Sequence, residues 1–150
     1  MSLKASDSET QTADEDIQVL EFELDGQRYC VMIAAVMEIV DEEPLTKVPS
    51  SGRHVLGVMN LRDETTTIID PTVVFGVDST AGDRRIIIFD DDSDEQYGWL
   101  VDSVHRVSTF KRSDVEEQAD AEAIRGLVNR DEDFLIWVDP SVINGESTTL

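Results

Sequence analysis

Apolar residues in this chain come in short runs, and turn-forming residues stop each run before a long helix could develop. In IQVLEFEL (residues 17–24), Leu20, Phe22 and Leu24 alternate with Glu21 and Glu23. That is the period of two expected of a strand with one covered face. Asp25-Gly26, a favoured pair for a two-residue hairpin, follows, and QRYCVMI supplies the return strand. The stretch AAVMEIVDEE shifts to helical spacing through Val36, Ile39 and Val40. It predicts a short helix or helical turn that Pro44 terminates. After KVPS and the loop SSGRH, the positions from Val55 to Leu61 fit either a helical turn or an entering strand. Thr65 to Ile69 is β-branched and reads as a strand ended by Asp70-Pro71.

RRIIIFD and YGWLVDSV are two further apolar runs on either side of the acidic stretch DDSDEQ, a second hairpin-like unit, and VHRVSTF reads as another strand. SDVEEQADAEAIRG is compatible with helix but so acidic that much of it reads as loop, and FLIWVDPSVI supplies a last strand. About eight to ten short strands, two short helical pieces and no long helix point to an all-β protein with short helices. Two small barrels, each of about 60 residues, would account for the length. No internal repeat is evident in the residues themselves. The expected organisation is a disordered acidic N-terminal tail over residues 1–16, one folded domain over 17–143, and a C-terminal tail over 144–150.

Charge narrows the function classes. The chain carries 33 Asp plus Glu against 12 Lys plus Arg, a formal net charge of −21. Such a surface repels phosphate backbones and sets nucleic-acid binding aside. Only Lys4, Lys47 and Lys111 are lysines. Acid excess with few lysines suits a cytoplasm at molar salt, where the Debye length falls to about 3 Å and self-repulsion is screened. A halophilic archaeon is the expected source, with an acidic protein of an ordinary cytoplasm as the alternative. No apolar run approaches the length of a membrane span, and the N-terminus lacks the apolar core of a secretion signal. One cysteine, Cys30, gives no disulfide framework. A cytoplasmic protein without membrane insertion is expected.

The residues of catalysis are missing. No nucleophile elbow, phosphate-binding loop, dinucleotide fingerprint, zinc-protease motif or CxxC pair occurs. His54 and His105 have unrelated neighbours, and Cys30, between Tyr29 and Val31, reads as a small core residue. Within DDDSDE, Asp90, Asp92 and Asp94 match the first spacings of an EF-hand loop, but Glu95 occupies the glycine position and Val101 the final ligand position. A solvated hairpin loop is the better reading. No metal, cofactor or catalytic residue is expected.

Charges set inside apolar stretches say more. Glu38 lies within AAVMEIV, and Arg62 follows VLGVMNL. A charge so placed is costly unless it faces solvent or has a partner. Two readings remain: independent surface charges, or a Glu38–Arg62 ion pair at the edge of a binding groove. The planar fork of arginine suits the second.

Taken in order, FELDGQRYCVMIAAVMEIVDEEPLTKVP, GVMNLRDETTTIID and YGWLVDSVHRV resemble the CheW-type chemotaxis coupling proteins. The matching pieces are Val36-Met37-Glu38-Ile39, Val48-Pro49, Gly57-Val58-Met59-Asn60-Leu61-Arg62 and Val101-Asp102-Ser103-Val104, and the resemblance covers about residues 18–143. It implies two SH3-like five-stranded β-barrel subdomains packed side by side. It also implies a noncatalytic adaptor that couples methyl-accepting chemoreceptors, at their cytoplasmic tips, to the regulatory domain of the histidine kinase CheA. By position, Val36, Glu38 and Arg62 would face the receptor, and Gly57 and Val58 the kinase. Two residues depart from the family pattern: Asp63 stands where glycine usually follows the arginine, and Thr67 where proline is usual. Segment 113–130 is short and very acidic for its place in the second barrel. Two alternatives stay open, a CheW-like scaffold of another signalling system and an acidic β-barrel that binds a metal or small ligand through the DDSDE hairpin.

Overall fold

The structure is a computed structural model that describes residues 15–49, 52–78, 83–90, 95–117, 122–130 and 133–147. In chain order the strands are β1 (Asp16–Leu24), β2 (Gln27–Met32), β3 (Val36–Asp41), β4 (Val55–Leu61), β5 (Glu64–Ile69), β6 (Arg85–Phe89), β7 (Gln96–Val101), β8 (Ser103–Lys111), β9 (Val115–Glu116), β10 (Ile124–Asn129) and β11 (Phe134–Val138). Two helices, α1 (Pro71–Phe75) and α2 (Pro140–Ser147), follow β5 and β11. The strands form one sheet in the order β8-β1-β2-β11-β10-β9 and a second in the order β3-β6-β7-β5-β4. The expectation of an all-β protein with short helices and two small β units therefore holds. The first sheet counts six strands rather than five, because the two-residue β9 extends its edge.

The two units are not successive halves of the chain. The first sheet takes both ends, β1 and β2 with β8 to β11, and the second takes the middle. Strand alternation explains how they join. Along β6, Ile86 and Ile88 pack into a cluster drawn from the second sheet alone, with Met59, Ile68 and Leu100. Ile87 and Phe89 point the other way, into a cluster shared by both sheets with Leu20, Phe22, Val31 and Trp99. Cys30, Leu135 and Trp137 belong to a third cluster, confined to the first sheet. Both faces of the central strands are thus covered, which removes the simple inside–outside alternation expected for them. Among the described residues no helix is long and apolar enough to cross a membrane.

Several local expectations are corrected. Val36–Asp41 is the edge strand β3, and the helical spacing there shrinks to a single 3-10 turn, Ile33–Ala35. Val55–Leu61 is strand, paired antiparallel with β5. The acidic segment after Ser113 holds β9 and β10 where helix or loop was expected, since β10 gains its ladder bonds from β11. Residues from Asn144 onward are no tail up to Ser147. They complete α2, in which Asn144 is buried and accepts a hydrogen bond from the Trp99 indole at 2.9 Å.

The fold also exposes an internal repeat that the residues alone had hidden. The run from Gly57 to Gly76 aligns without a gap on that from Gly126 to Gly145. Shared features are a glycine, Asn60 or Asn129, and Asp-Pro followed by Thr or Ser and then Val. Each run builds a β-hairpin that leads into a short helix. The capping is the same: the Asp70 carboxylate accepts from the Thr72 N–H, and the Asp139 carboxylate from the Ser141 N–H, both at 3.0 Å. Each glycine lies where another backbone crosses. A Cβ on Gly57 would stand 2.5 Å from the Thr46 carbonyl oxygen, and one on Gly126 would stand 2.7 Å from that of Glu116.

Candidate functional site

Strands β3 and β4 form the two edges of the second sheet, and the predicted charges sit on them. Glu38 projects from β3 just after a bulge at Met37, where the register with β6 shifts. Arg62 begins the turn between β4 and β5. Leu61 pairs with Glu64, so Arg62 and Asp63 are the whole two-residue loop, with φ of 54° and 68°. Such a turn matches strand twist but demands left-handed backbone at both positions. The Asn60 side chain supports it by accepting from the Asp63 N–H at 3.0 Å.

This geometry brings Arg62 to Glu38. One guanidinium nitrogen lies 2.8 Å from Oε1, and the other donates to Oε2 at 3.1 Å, a two-pronged contact joining the two edge strands. The Arg62 side chain is 71% exposed and that of Glu38 22%, so the pair lies at the surface. Met37, between Glu38 and Val36, is 43% exposed. Val36 is half-buried, pairs with Phe89 and packs on the shared core. No contact between Arg62 and Asp63 carboxylate competes with this arrangement among the described ion pairs.

Gly57 and Val58 lie on β4, beside the segment that returns from β3. Val58 exchanges two backbone hydrogen bonds with Thr46, at 2.8 and 2.9 Å. Gly57 is buried beneath that crossing and offers no side chain to a partner, so its requirement is close backbone approach. Asp92 and Asp94 of the acidic hairpin lie outside the described residues. Among the described residues no group of three His, Cys, Asp or Glu side chains is placed to hold a metal.

Sequence reasoning missed a second charged cluster. Glu21, read as a solvent-facing strand residue, is fully buried in β1, which has β8 and β2 on either side. Its carboxylate accepts from Arg130 at 2.8 and 3.2 Å, from Arg28 at 2.9 Å and from the Ser108 hydroxyl, with Arg106 at 3.6 Å. Burial by itself would raise its pKa, but the hydrogen bonds from Arg130, Ser108 and Arg28 outweigh it and hold the group at about 2. The opposing residue on β2, Cys30, has its thiol pushed above the ordinary range by burial and then by the Glu21 charge. A thiol so placed is inert as a nucleophile. The one available signal was the spacing of Arg28 and Arg130 near strand ends, which sequence cannot connect to Glu21.

Comparison with known proteins places this geometry. The family model of the CheW-like domain matches residues 18–146. The chemotaxis protein CheW of Rhizobium meliloti is 32% identical over 104 residues, covering 69% of this chain and 67% of that protein. The chemotaxis protein CheW of Thermotoga maritima is 28% identical over 137 residues, 89% of this chain and 91% of that one. The crystal structure of the scaffolding protein TtCheW from Thermoanaerobacter tengcongensis matches with a TM-score of 0.74 at 26% identity, covering 82% of this chain and 88% of that one. Since the family match takes in almost every strand of both sheets, the chain belongs to the CheW-like domain family, the noncatalytic scaffolds of chemotaxis.

Proposed function

We propose that this protein couples chemoreceptor tips to the regulatory domain of a CheA-type histidine kinase on the cytoplasmic side of the membrane. Val36, Glu38 and Arg62 form the receptor-facing surface in this reading, and Gly57 with Val58 belongs to the kinase-facing one. The observation that carries it is the Glu38–Arg62 pair. It fixes a charged clamp across the two edges of one sheet beside the exposed Met37, a combination suited to docking another protein and of no catalytic use. Gly57 contributes shape, because it lets the Thr46 segment lie flat on β4 and form the surface there.

The test is a pull-down in molar potassium chloride, with the tagged protein as bait in lysate of its source. Recovery of receptors together with a CheA-type kinase is the expected result, and Arg62→Glu lowers receptor recovery without unfolding the bait. Receptors without kinase would replace coupling by a competing adaptor at the receptor tip. Neither partner, with folded bait, would overturn the reading. Adaptation to molar salt is part of the same proposal: dialysis into low salt unfolds the chain, and an unchanged circular-dichroism signal there would overturn that part.

A further inference from the structure

The repeat shows where the two sheets differ at one end. In the second sheet the aliphatic side chains of Leu45 and Leu56 close over Ile68 and its neighbours. The aligned positions of Leu56 and Ile68 in the first sheet are Arg125 and Trp137. No aliphatic plug replaces Leu56 there, and a cavity of about 220 Å³ opens, lined by Arg112, Val115, Glu117, Arg125 and Trp137. That space would hold about seven waters.

Its chemistry is specific. The guanidinium carbons of Arg125 and Arg112 lie over the Trp137 ring, 5.1 and 5.6 Å from its centre. Arg112 also pairs with Glu15 at 3.2 Å and Arg125 with Asp139 at 3.4 Å. These contacts fix the two forks but leave further N–H donors on each. The Trp137 indole N–H is buried and meets no acceptor among the described residues, whereas the other tryptophan, Trp99, donates to Asn144. A buried donor left unpaired is costly and calls for an acceptor. The surrounding carboxylates of Glu15, Glu117 and Asp139 disfavour a ligand with net negative charge, and Glu117 itself lines the space.

We propose that this mouth of the first sheet binds a small zwitterion of the α-amino-acid class. Its carboxylate meets Arg112, Arg125 and the Trp137 indole N–H, and its ammonium faces Glu117. Donors that leave the carboxylate paired and a nearby anion for the ammonium together satisfy the unpaired Trp137 donor and the local charge. The site is distinct from the Glu38–Arg62 surface, which lies on the second sheet, and it stands or falls independently of the coupling function.

The experiment follows the two tryptophan indole N–H signals by nitrogen–proton correlation NMR of the full chain at constant potassium chloride. Glycine, acetate and methylammonium are the probes. Glycine is expected to move the Trp137 signal saturably while Trp99, already bonded, stays in place. Acetate should bind at least about tenfold more weakly, and methylammonium should leave the signal unmoved. Arg125→Leu, which copies Leu56 of the other repeat, abolishes the response, with the Trp99 signal reporting an intact fold. Glu117→Gln removes the advantage of glycine over acetate. Equal binding of glycine and acetate to the unaltered protein would overturn the zwitterion, and no saturable shift with any probe would overturn the site.

Discussion

Ile88 and Glu21 occupy the same place in two sheets, and they could hardly differ more. Ile88 pairs with Gly98, which lies parallel to Ile68, and Glu21 pairs with Cys30, which lies parallel to Trp137. Ile68 and Trp137 are aligned in the internal repeat. Both Ile88 and Glu21 are completely buried. Around Ile88 the neighbours are aliphatic, and around Glu21 they are arginines and a serine. The lesson is that this barrel position needs volume and satisfied partners, and chemistry of either kind can supply them. The two solutions differ in how they fail.

The largest expected effect comes from removing one member of the ionic solution. Glu21→Ala leaves Arg28 and Arg130 facing each other without their anion, and should cost about 3–5 kcal/mol by denaturant midpoint. Copying the second sheet should reverse most of that. Leu61 aligns with Arg130 in the repeat. By strand register Ile88 stands in the place of Glu21, and Gln96, two residues before Gly98, in that of Arg28, two before Cys30. The triple variant Glu21→Ile, Arg28→Gln, Arg130→Leu is therefore predicted to lie within about 2 kcal/mol of the original chain. A triple variant as unstable as Glu21→Ala would break the equivalence of the two positions.

Acid should separate the sheets next. The Glu21 carboxyl has its pKa lowered from 4.5 to about 2 in the folded chain. A depressed carboxylate contributes stability that is complete above the unfolded value and is lost as pH falls through the folded one. The window therefore runs from about pH 4.5 down to about 2, and the loss amounts to roughly 3 kcal/mol. Equilibrium unfolding across that range measures it. The triple variant should lack this limb, because an isoleucine has nothing to titrate, and retention of the full slope would assign it to other carboxylates.

This contrast also marks what the sequence could reveal. Strands β1, β2, β6, β7 and β8 were legible because apolar period and turn residues agree there, and Asp25-Gly26 does form the β1–β2 turn. The burial of Glu21 was not, since a glutamate between Leu20 and Phe22 reads as a wet-face residue, and the arginines that let it be buried, Arg28 and Arg130, come from other strands. Strand β10 was hidden because the acidic run Asp131-Glu132-Asp133 separates it in sequence from its ladder partner, β11. The helix α2 was missed because its polar Asn144 finds its partner, Trp99, on the opposite sheet. The repeat escaped notice because the pairs that differ, such as Leu61 with Arg130 and Ile68 with Trp137, are those on which the two sheets diverge. Of the surface residues, Glu38 and Arg62 drew attention by their setting, but only the turn geometry accounts for how they meet.

Where the repeats agree, damage is expected at both glycines, and more at Gly57, whose φ of 155° a side chain rarely adopts. Gly57→Ala and Gly126→Ala would each drive a methyl group into a crossing carbonyl, the Thr46 oxygen in one case and the Glu116 oxygen in the other. Backbone cannot give way as a side-chain tip can, so each should cost about 1–3 kcal/mol in thermal or denaturant unfolding. A neutral result at Gly126 with a loss at Gly57 would assign the damage to the Gly57 backbone conformation and not to the crossing carbonyls.

The smallest effects should come from the turns, where the sheets again chose differently. Asp25-Gly26 places glycine at the second left-handed position, with φ of 78°, whereas Arg62-Asp63 holds an aspartate there at 68°. An L-residue other than glycine is strained in that region, with aspartate among the better tolerated. Asp63→Gly should therefore stabilise the chain by up to about 1 kcal/mol, a gain read as a higher unfolding midpoint. Arg62→Ala should cost no more than about 1 kcal/mol, since its partner contact is largely exposed to water and salt. Opposite signs of similar size at adjacent residues would separate backbone strain from ion pairing in one hairpin. A large loss on Arg62→Ala would mean instead that the pair holds the two edges of the second sheet together, and that the surface proposed for docking is also a structural clasp.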